Sequence, residues 1–375
     1  MVKMLRCRLV LLVSLLALCV ALSCVSREDS FMGPVSEQPD LQRLISPELL
    51  EHTKLKVEWE TKLPIKETER LDRLFILGNR IYALSDHNYV VSLNRENGKV
   101  VFSRSFAPVG LTMLGLELYE DELVSVISNR LVEINPEFGT ELRSKNLRFG
   151  ITCPAVRNSS YFYLAGADRR LRTLRAKDKV KLFEVAAEGE ITSIVADDDF
   201  VVFATDAGNV IAMTPGRPKQ LWRFDAADGI VGPIVRDGES LFVASKDTYV
   251  YKLNARKGSS PVWKYQTGAM LDKCPRVTPE VVYQYVRYKG LTAIDKKNGT
   301  PMWQLSEGVD LLAEANGKAY VITDVGTLVV MDNGKFKRLY SVNFARVSKY
   351  AVNVTDSKIY IADEAGRIVC LRPIE

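Results

Sequence analysis

From residue 55 onward, apolar and polar positions fall into short alternating runs separated by Asp, Asn and Gly. Residues two apart share one face of a strand, so this alternation predicts half-buried β-strands rather than helices. One unit recurs. It has an apolar run, a turn rich in Asp, Gly or Asn, a second apolar run usually closing on Asn or Asp, a polar turn often holding Gly, and an extended run commonly carrying an aromatic. It reads IYALSDHNYVVSLNRENGKVVFSRSF from Ile81, LFVASKDTYVYKLNARKGSSPVWKYQTG from Leu241 and VVYQYVRYKGLTAIDKKNGTPMWQLSEG from Val281. The first run begins at Ile81, Leu123, Tyr161, Phe200, Leu241, Val281, Ala319 and Ile359, at spacings of 42, 38, 39, 41, 40, 38 and 40 residues. A sheet that is apolar on both faces needs neighbours to cover it, and a period of roughly 40 residues with four strands is the blade of a propeller. The expected fold is all-β: an eight-bladed β-propeller of four-stranded antiparallel blades over residues 55–375.

The last unit, IYIADEAG followed by RIVCL, lacks an outer strand. Leu55 to Leu63, LKVEWETKL, alternates cleanly and has no unit of its own. Placed on the last blade, it closes the ring and leaves no open seam between the ends. Its Trp59 then falls where other blades have Trp222, Trp263 and Trp303. These four tryptophans admit a ligand-stacking reading, but recurrence at one outer position, far from the central channel, points to packing between neighbouring blades.

The N-terminus follows another pattern. Lys3, Arg6 and Arg8 precede an apolar run of 14 residues, Leu9 to Leu22, closed by Ser23 and Cys24. That is a secretory signal over residues 1–23, too short to span a bilayer comfortably. Cys24 stands where a bacterial lipoprotein carries its acyl chains, although Ala21 and Leu22 depart from the usual box; cleavage to a free periplasmic protein is the alternative. Residues 24–54 are polar and irregular and are expected to form a flexible tether. A short helix is expected over Ser46 to Glu51, since Ser46 suits the cap and Pro47 the first turn.

The formal charge of +5 drops to +2 once the signal and its Lys3, Arg6 and Arg8 are removed, so nothing calls for a nucleic-acid partner. Outside the signal and Cys24, only Cys153, Cys274 and Cys370 remain, widely spaced, and they are expected to be small buried hydrophobes rather than a disulfide framework or zinc site.

LTAIDKKNGTPMWQ, Leu291 to Gln304, resembles the PQQ-like propeller repeat, with YVYKLNARKGSSPVWKY and YVVSLNRENGKVVFS as weaker copies. Blade 3 departs from it, with Arg175 and Lys179 where Asn or Asp and Gly would sit, and blade 4 has Thr214. Together with the export signal, Cys24, the tether and the closing strand, the repeat resembles the BamB family of lipoproteins. The resemblance implies a non-enzymatic scaffold at the periplasmic face of the outer membrane. Its partners would be β-barrel assembly components, it would be held to the membrane through a lipid anchor, and no cofactor would be needed.

The repeat's name raises the rival reading of a quinone- or ligand-binding enzyme. Quinoproteins of similar fold use an adjacent Cys pair and a Glu/Asn/Asp calcium set; here no Cys-Cys occurs, and Asp and Asn are scattered singly through turns. Only His52 and His87 could serve a hydrolytic triad, the first in the tether and the second in a turn. Asp86, Asp168, Asp206, Asp247, Asp324 and Asp363 fall near one repeat position. They suggest either a cation-attracting rim or turns in which Asp bonds its own backbone two residues on. Between Arg143 and Lys181 only Asp168 and Asp178 offset the charge, which makes this the most basic stretch; its cations crowd blade 3, with Arg169, Arg170, Arg172, Arg175, Lys177, Lys179 and Lys181, and it is either a contact for an acidic partner or anionic lipid, or a solvated blade edge.

Overall fold

A computed structural model of the chain describes residues 43–51 and 53–374. Cys24, His52 and the signal segment lie outside the described residues. The strands form eight separate four-stranded antiparallel sheets. Seven are built from consecutive strands, so each strand pairs with its sequence neighbour. In the eighth, the strand Leu55–Lys62 pairs with the C-terminal strand Arg367–Pro373, from Leu55 opposite Pro373 to Lys62 opposite Arg367. The closing strand sits at the outer edge of blade 8, where the alternation of Leu55 to Leu63 places it.

Blades 1 to 8 are numbered in chain order from Leu71. The second and third strands of a blade are buried on both faces, as in Phe162 to Ala165 of blade 3 and Val201 to Ala204 of blade 4. They are largely apolar because a neighbouring blade covers each side. The core is therefore divided into eight apolar clusters, one per seam. Blades 2 and 3, whose repeats are the most degenerate, still complete their sheets, though the innermost strand of blade 3 is only Val156–Arg157.

The turn between third and fourth strands explains the repeat's Asn/Asp and Gly. Asn94 Oδ1 accepts from the backbone N–H groups of Glu96 and Asn97, and Asp295 Oδ1 likewise from Lys297 and Asn298. Four residues after the Asn or Asp, the chain turns left-handed, at Gly98 (φ 68°) and Gly299 (φ 77°). Glycine is needed there twice over: for φ, and because a Cβ on Gly98 would lie 2.5 Å from the Trp59 ring and one on Gly299 2.7 Å from Trp263. Each indole of the preceding blade thus lies on the next blade's turn and donates into it. Trp59 Nε1 bonds Arg95 O at 3.2 Å, Trp222 bonds Ala255 O at 2.8 Å, Trp263 bonds Lys296 O at 3.0 Å and Trp303 bonds Asn333 Oδ1 at 2.8 Å.

The segment before the closing strand is not a free tether. After a five-residue helix, Pro47–Glu51, its Lys54 O accepts from Ile374 N at 2.8 Å. Leu44 and Ile45, 4% and 5% exposed, enter the apolar cluster between blades 7 and 8, and Leu50 packs against it. Arg43 O accepts from the Arg346 guanidinium. The folded body therefore begins before residue 55, because two apolar pairs in an otherwise polar stretch find an open seam to fill.

Candidate functional site

Pairing register identifies one outer-strand position in all eight blades. It holds Phe102, Arg143, Phe183, Trp222, Trp263, Trp303, Tyr340 and Trp59, opposite Ser92, Glu133, Thr173, Ala212, Lys252, Ala293, Val330 and Cys370. Blade 2 is the exception: its aromatic is replaced by Arg143, and a carboxylate, Glu133, faces it.

The turn of blade 3 that would receive an indole has changed with it. Arg175 replaces the capping Asn or Asp, and Lys179 takes the left-handed position at φ 58°. The seam between blades 2 and 3 is consequently ionic. Glu133, 1% exposed, meets Lys179 Nζ and Arg143 NH2, each at 2.5 Å. Arg143 also reaches Glu122, which in turn holds Arg157 at 2.9 Å. Burial by itself raises the Glu133 carboxyl's affinity for a proton, but hydrogen bonds from Lys179 and Arg143 outweigh it and hold the carboxyl below its ordinary range. The Phe162 ring meets both the Arg157 and Lys179 cations, its centroid 4.8 Å from each. The apolar cluster here has eight buried residues, against sixteen between blades 7 and 8, and its outer strand lends it no buried ring.

Without that ring, the outer part of the seam stays open as a lateral cleft of about 1330 Å³. One wall is Ser144 to Asn146 of the outer strand of blade 2, Glu141–Asn146, which is exposed along its whole length. Leu147 to Gly150, leading into blade 3, forms the end, and Arg172, Leu174 and Lys179 to Lys181 form the second wall. Two smaller hollows lie nearby, one in the same seam with Glu122, Arg143, Arg157 and Lys177 in its lining and the other on blade 3 alone with Arg175 and Lys177.

The basic stretch of blade 3 is therefore divided by the fold. Arg172 is committed: it makes a two-pronged contact with Asp168 (2.7 and 2.5 Å), reaches Glu184 at 3.4 Å and lies 4.0 Å over the Phe149 ring. Arg170 and Lys181 share Glu184, and Arg175 pairs with Asp178. Lys179 is bound to Glu133. Arg169 and Lys177 are exposed and make no ion pair among the described residues. Lys145 and Arg148, on the opposite wall and end of the cleft, fall inside the basic stretch Arg143 to Lys181 but outside the blade 3 cluster named within it; both are exposed and without an ion pair among the described residues. Lys145 belongs to the outer strand of blade 2 and Arg148 to the link into blade 3, so the clustering of cations within blade 3 did not single them out.

The other candidates stay apart. Ser85 Oγ donates to buried Glu69, and His87 Nδ1 lies 3.9 Å from the same carboxylate, so hydroxyl and imidazole are not paired as nucleophile and base. The six turn aspartates do not converge, and no group of metal-ligating side chains occurs among the described residues. Only Asp247 bonds the backbone two residues on, at Tyr249. Asp86 and Asp206 instead accept from Arg70 N and Glu190 N, tying their turns to the entry of the blade's innermost strand. Cys153 and Cys370 are buried free thiols, but Cys274 is half-exposed and accepts from Arg276 at 3.2 Å.

A family profile described as "Outer membrane protein assembly factor BamB" matches residues 50–217 and 206–345. Among solved structures, BamB from Moraxella catarrhalis superposes with a TM-score of 0.67 at 14% identity, covering 85% of this chain and 97% of that one. The computationally designed Ika8 protein gives 0.66 at 13% identity, covering 84% and 99%. The C-terminal WD40 domain of Sif2 gives 0.61 at 12% identity, again covering 84% and 99%. At such identities the likeness establishes the propeller fold alone. No curated protein sequence matches.

Proposed function

The chain belongs to the BamB family of outer membrane protein assembly factors, and from that premise we propose that it is an exported lipoprotein scaffold. It holds a protein partner of the β-barrel assembly machinery at the periplasmic face of the outer membrane. The observation that carries the reading is the family match over most of the propeller. The open, charged cleft between blades 2 and 3 supports it, as a concave surface in a ring whose other repeated residues serve turns and packing. Trp59, Trp222, Trp263 and Trp303 act in this reading as fasteners between blades, and no catalytic residue is assigned.

Cys24 carries the anchor in this proposal. Each buried methylene of an acyl chain contributes about 0.8 kcal/mol, so two or three chains hold a protein to a bilayer. From Cys24 to Arg43 the chain can reach up to roughly 65 Å if extended, which leaves the propeller free to meet a partner beside the membrane.

Purification of the full chain from detergent-solubilised membranes tests the role. Recovery of a β-barrel assembly component is expected, and recovery of the protein alone overturns it. Cys24→Ala tests the anchor: the variant moves to the soluble fraction, whereas one that stays membrane-bound contradicts lipidation.

A further inference from the structure

The seam between blades 7 and 8 departs from the tryptophan pattern, as that between blades 2 and 3 does: its outer-strand position is Tyr340. There the chain's own Leu44 and Ile45 are inserted, Leu50 packs against them, and Lys54 O and Arg43 O are hydrogen-bonded. Register makes the two seams comparable. Lys145 pairs with Leu131 as Val342 pairs with Leu328, and Leu147 N bonds Asn129 O as Phe344 N bonds Gly326 O. Val342 and Phe344 share an apolar cluster with Leu44 and Ile45. The 2/3 cleft repeats this groove with its chemistry altered: Lys145 stands where Val342 does, Arg148 where Ala345 does, and Leu147 where Phe344 does.

We propose that the cleft between blades 2 and 3 is a docking groove for a short acidic segment of a partner protein, seated in the seam as Leu44 and Ile45 are seated between blades 7 and 8. The proposal rests on the scaffold reading and names the partner chemistry of that site. Acidic side chains meet Lys145 and Arg148, neither of which makes an ion pair among the described residues, while apolar ones cover Val180, 50% exposed; the lining carboxylates Asp168 and Glu184 are held by Arg172, Arg170 and Lys181. Buried apolar contact supplies affinity, and complementary charge selects the partner. A recessed cleft between two blades suits a peptide better than a flat lipid surface.

The test uses the full chain, with its 7/8 seam filled, and fluorescent synthetic peptides. ELISPELLEHTE is residues 43–54 with both terminal cations changed to Glu; RLISPKLLKHTK is the same segment with its carboxylates changed to Lys. Saturable, salt-sensitive binding of the acidic peptide is expected, with no binding of the basic one. Lys145→Glu with Arg148→Glu weakens it about tenfold, while Lys219→Glu with Lys297→Glu on distant turns leaves it unchanged. Circular dichroism confirms that each variant is folded. Equal binding of both peptides, no saturable binding, or an unaffected Lys145/Arg148 variant overturns the proposal. So does loss of binding to phosphatidylglycerol vesicles in that variant without peptide binding, which would assign the cleft to lipid. None of these outcomes depends on recovering a partner from membranes, so the groove and the assembly role fail separately.

Discussion

Replacing Trp59 by Ala examines how the ring is closed. The indole is 8% exposed, lies against the blade 1 turn at Gly98 and donates to Arg95 O at 3.2 Å. A buried Trp→Ala change costs about 3–5 kcal/mol, and the carbonyl left without its donor places this site around the middle of that range or above. An unfolding entropy of ~2.1 cal/mol/K per residue over roughly 320 residues is about 0.7 kcal/mol/K, so a loss of ~4 kcal/mol lowers Tm by about 6 °C. Trp263→Ala removes an equivalent bond, Nε1 to Lys296 O at 3.0 Å, and a ring also 8% exposed, so its Tm falls comparably. The closing strand gives the two variants different secondary phenotypes. Trp59→Ala loosens Leu55–Lys62, which is held by pairing with Arg367–Pro373 on one side and by contacts to blade 1, including Thr61 Oγ1 to Gly98 O. Limited proteolysis near residues 43–62 therefore accelerates in Trp59→Ala and not in Trp263→Ala. Thermal unfolding followed by circular dichroism and timed proteolysis read both effects. A fall of under about 1 °C in Trp59→Ala would refute the reasoning that indole on turn fastens the seam.

In the ionic seam, Glu133→Ala leaves the buried Lys179 without its carboxylate and Arg143 with Glu122 alone, and destabilises by about 3 kcal/mol; adding Arg143→Trp and Lys179→Gly rebuilds the indole-on-turn contact, recovers stability and abolishes acidic-peptide binding, all read by melting curves and fluorescence anisotropy. Asp310, 7% exposed, holds Arg276 through two bonds of 2.9 Å, and Asp310→Ala is expected to cost about 3 kcal/mol, the low end for a broken pair because Arg276 retains some water contact. Glu117, on the innermost strand of blade 2 (Met113–Tyr119), is crowded by surrounding protein although water reaches it, and this desolvation pushes its carboxyl up to about 7. The folded state then binds more protons than the unfolded chain between the unfolded value and about 7, so the contribution of Glu117 to stability falls as pH rises through that window; denaturant midpoints of Glu117→Gln should lack that component.

The ring was legible because its evidence is periodic. Strand alternation recurs in every blade, and the Asn/Asp and Gly turns and the tryptophans recur in several at one position, so even spacing exposed the count and the orphan strand at Leu55 to Leu63. The helix at Pro47–Glu51 was legible from its cap and proline. The packing of Leu44 and Ile45 was not, since a polar stretch with two apolar pairs reads as a spacer until an open seam is known to lie beside it. The cleft was half legible: the blade 3 cations stood out, but their pairing with Asp168, Asp178 and Glu184 did not. The decisive change, Arg143 for an aromatic, is meaningful only once register aligns eight outer strands and places Glu133 and Lys179 beside it.

The central claim is that this propeller is an assembly scaffold whose partner seats between blades 2 and 3. A photo-crosslinking amino acid at Val180 in the full-length protein, irradiated in native membranes, tests it most directly, with a second probe at Val262 on the outer edge of blade 5. The account predicts a discrete adduct with a β-barrel assembly component from Val180 and none from Val262. Adducts to that component from Val262 alone, or from neither position while the component co-purifies with the protein, would contradict it.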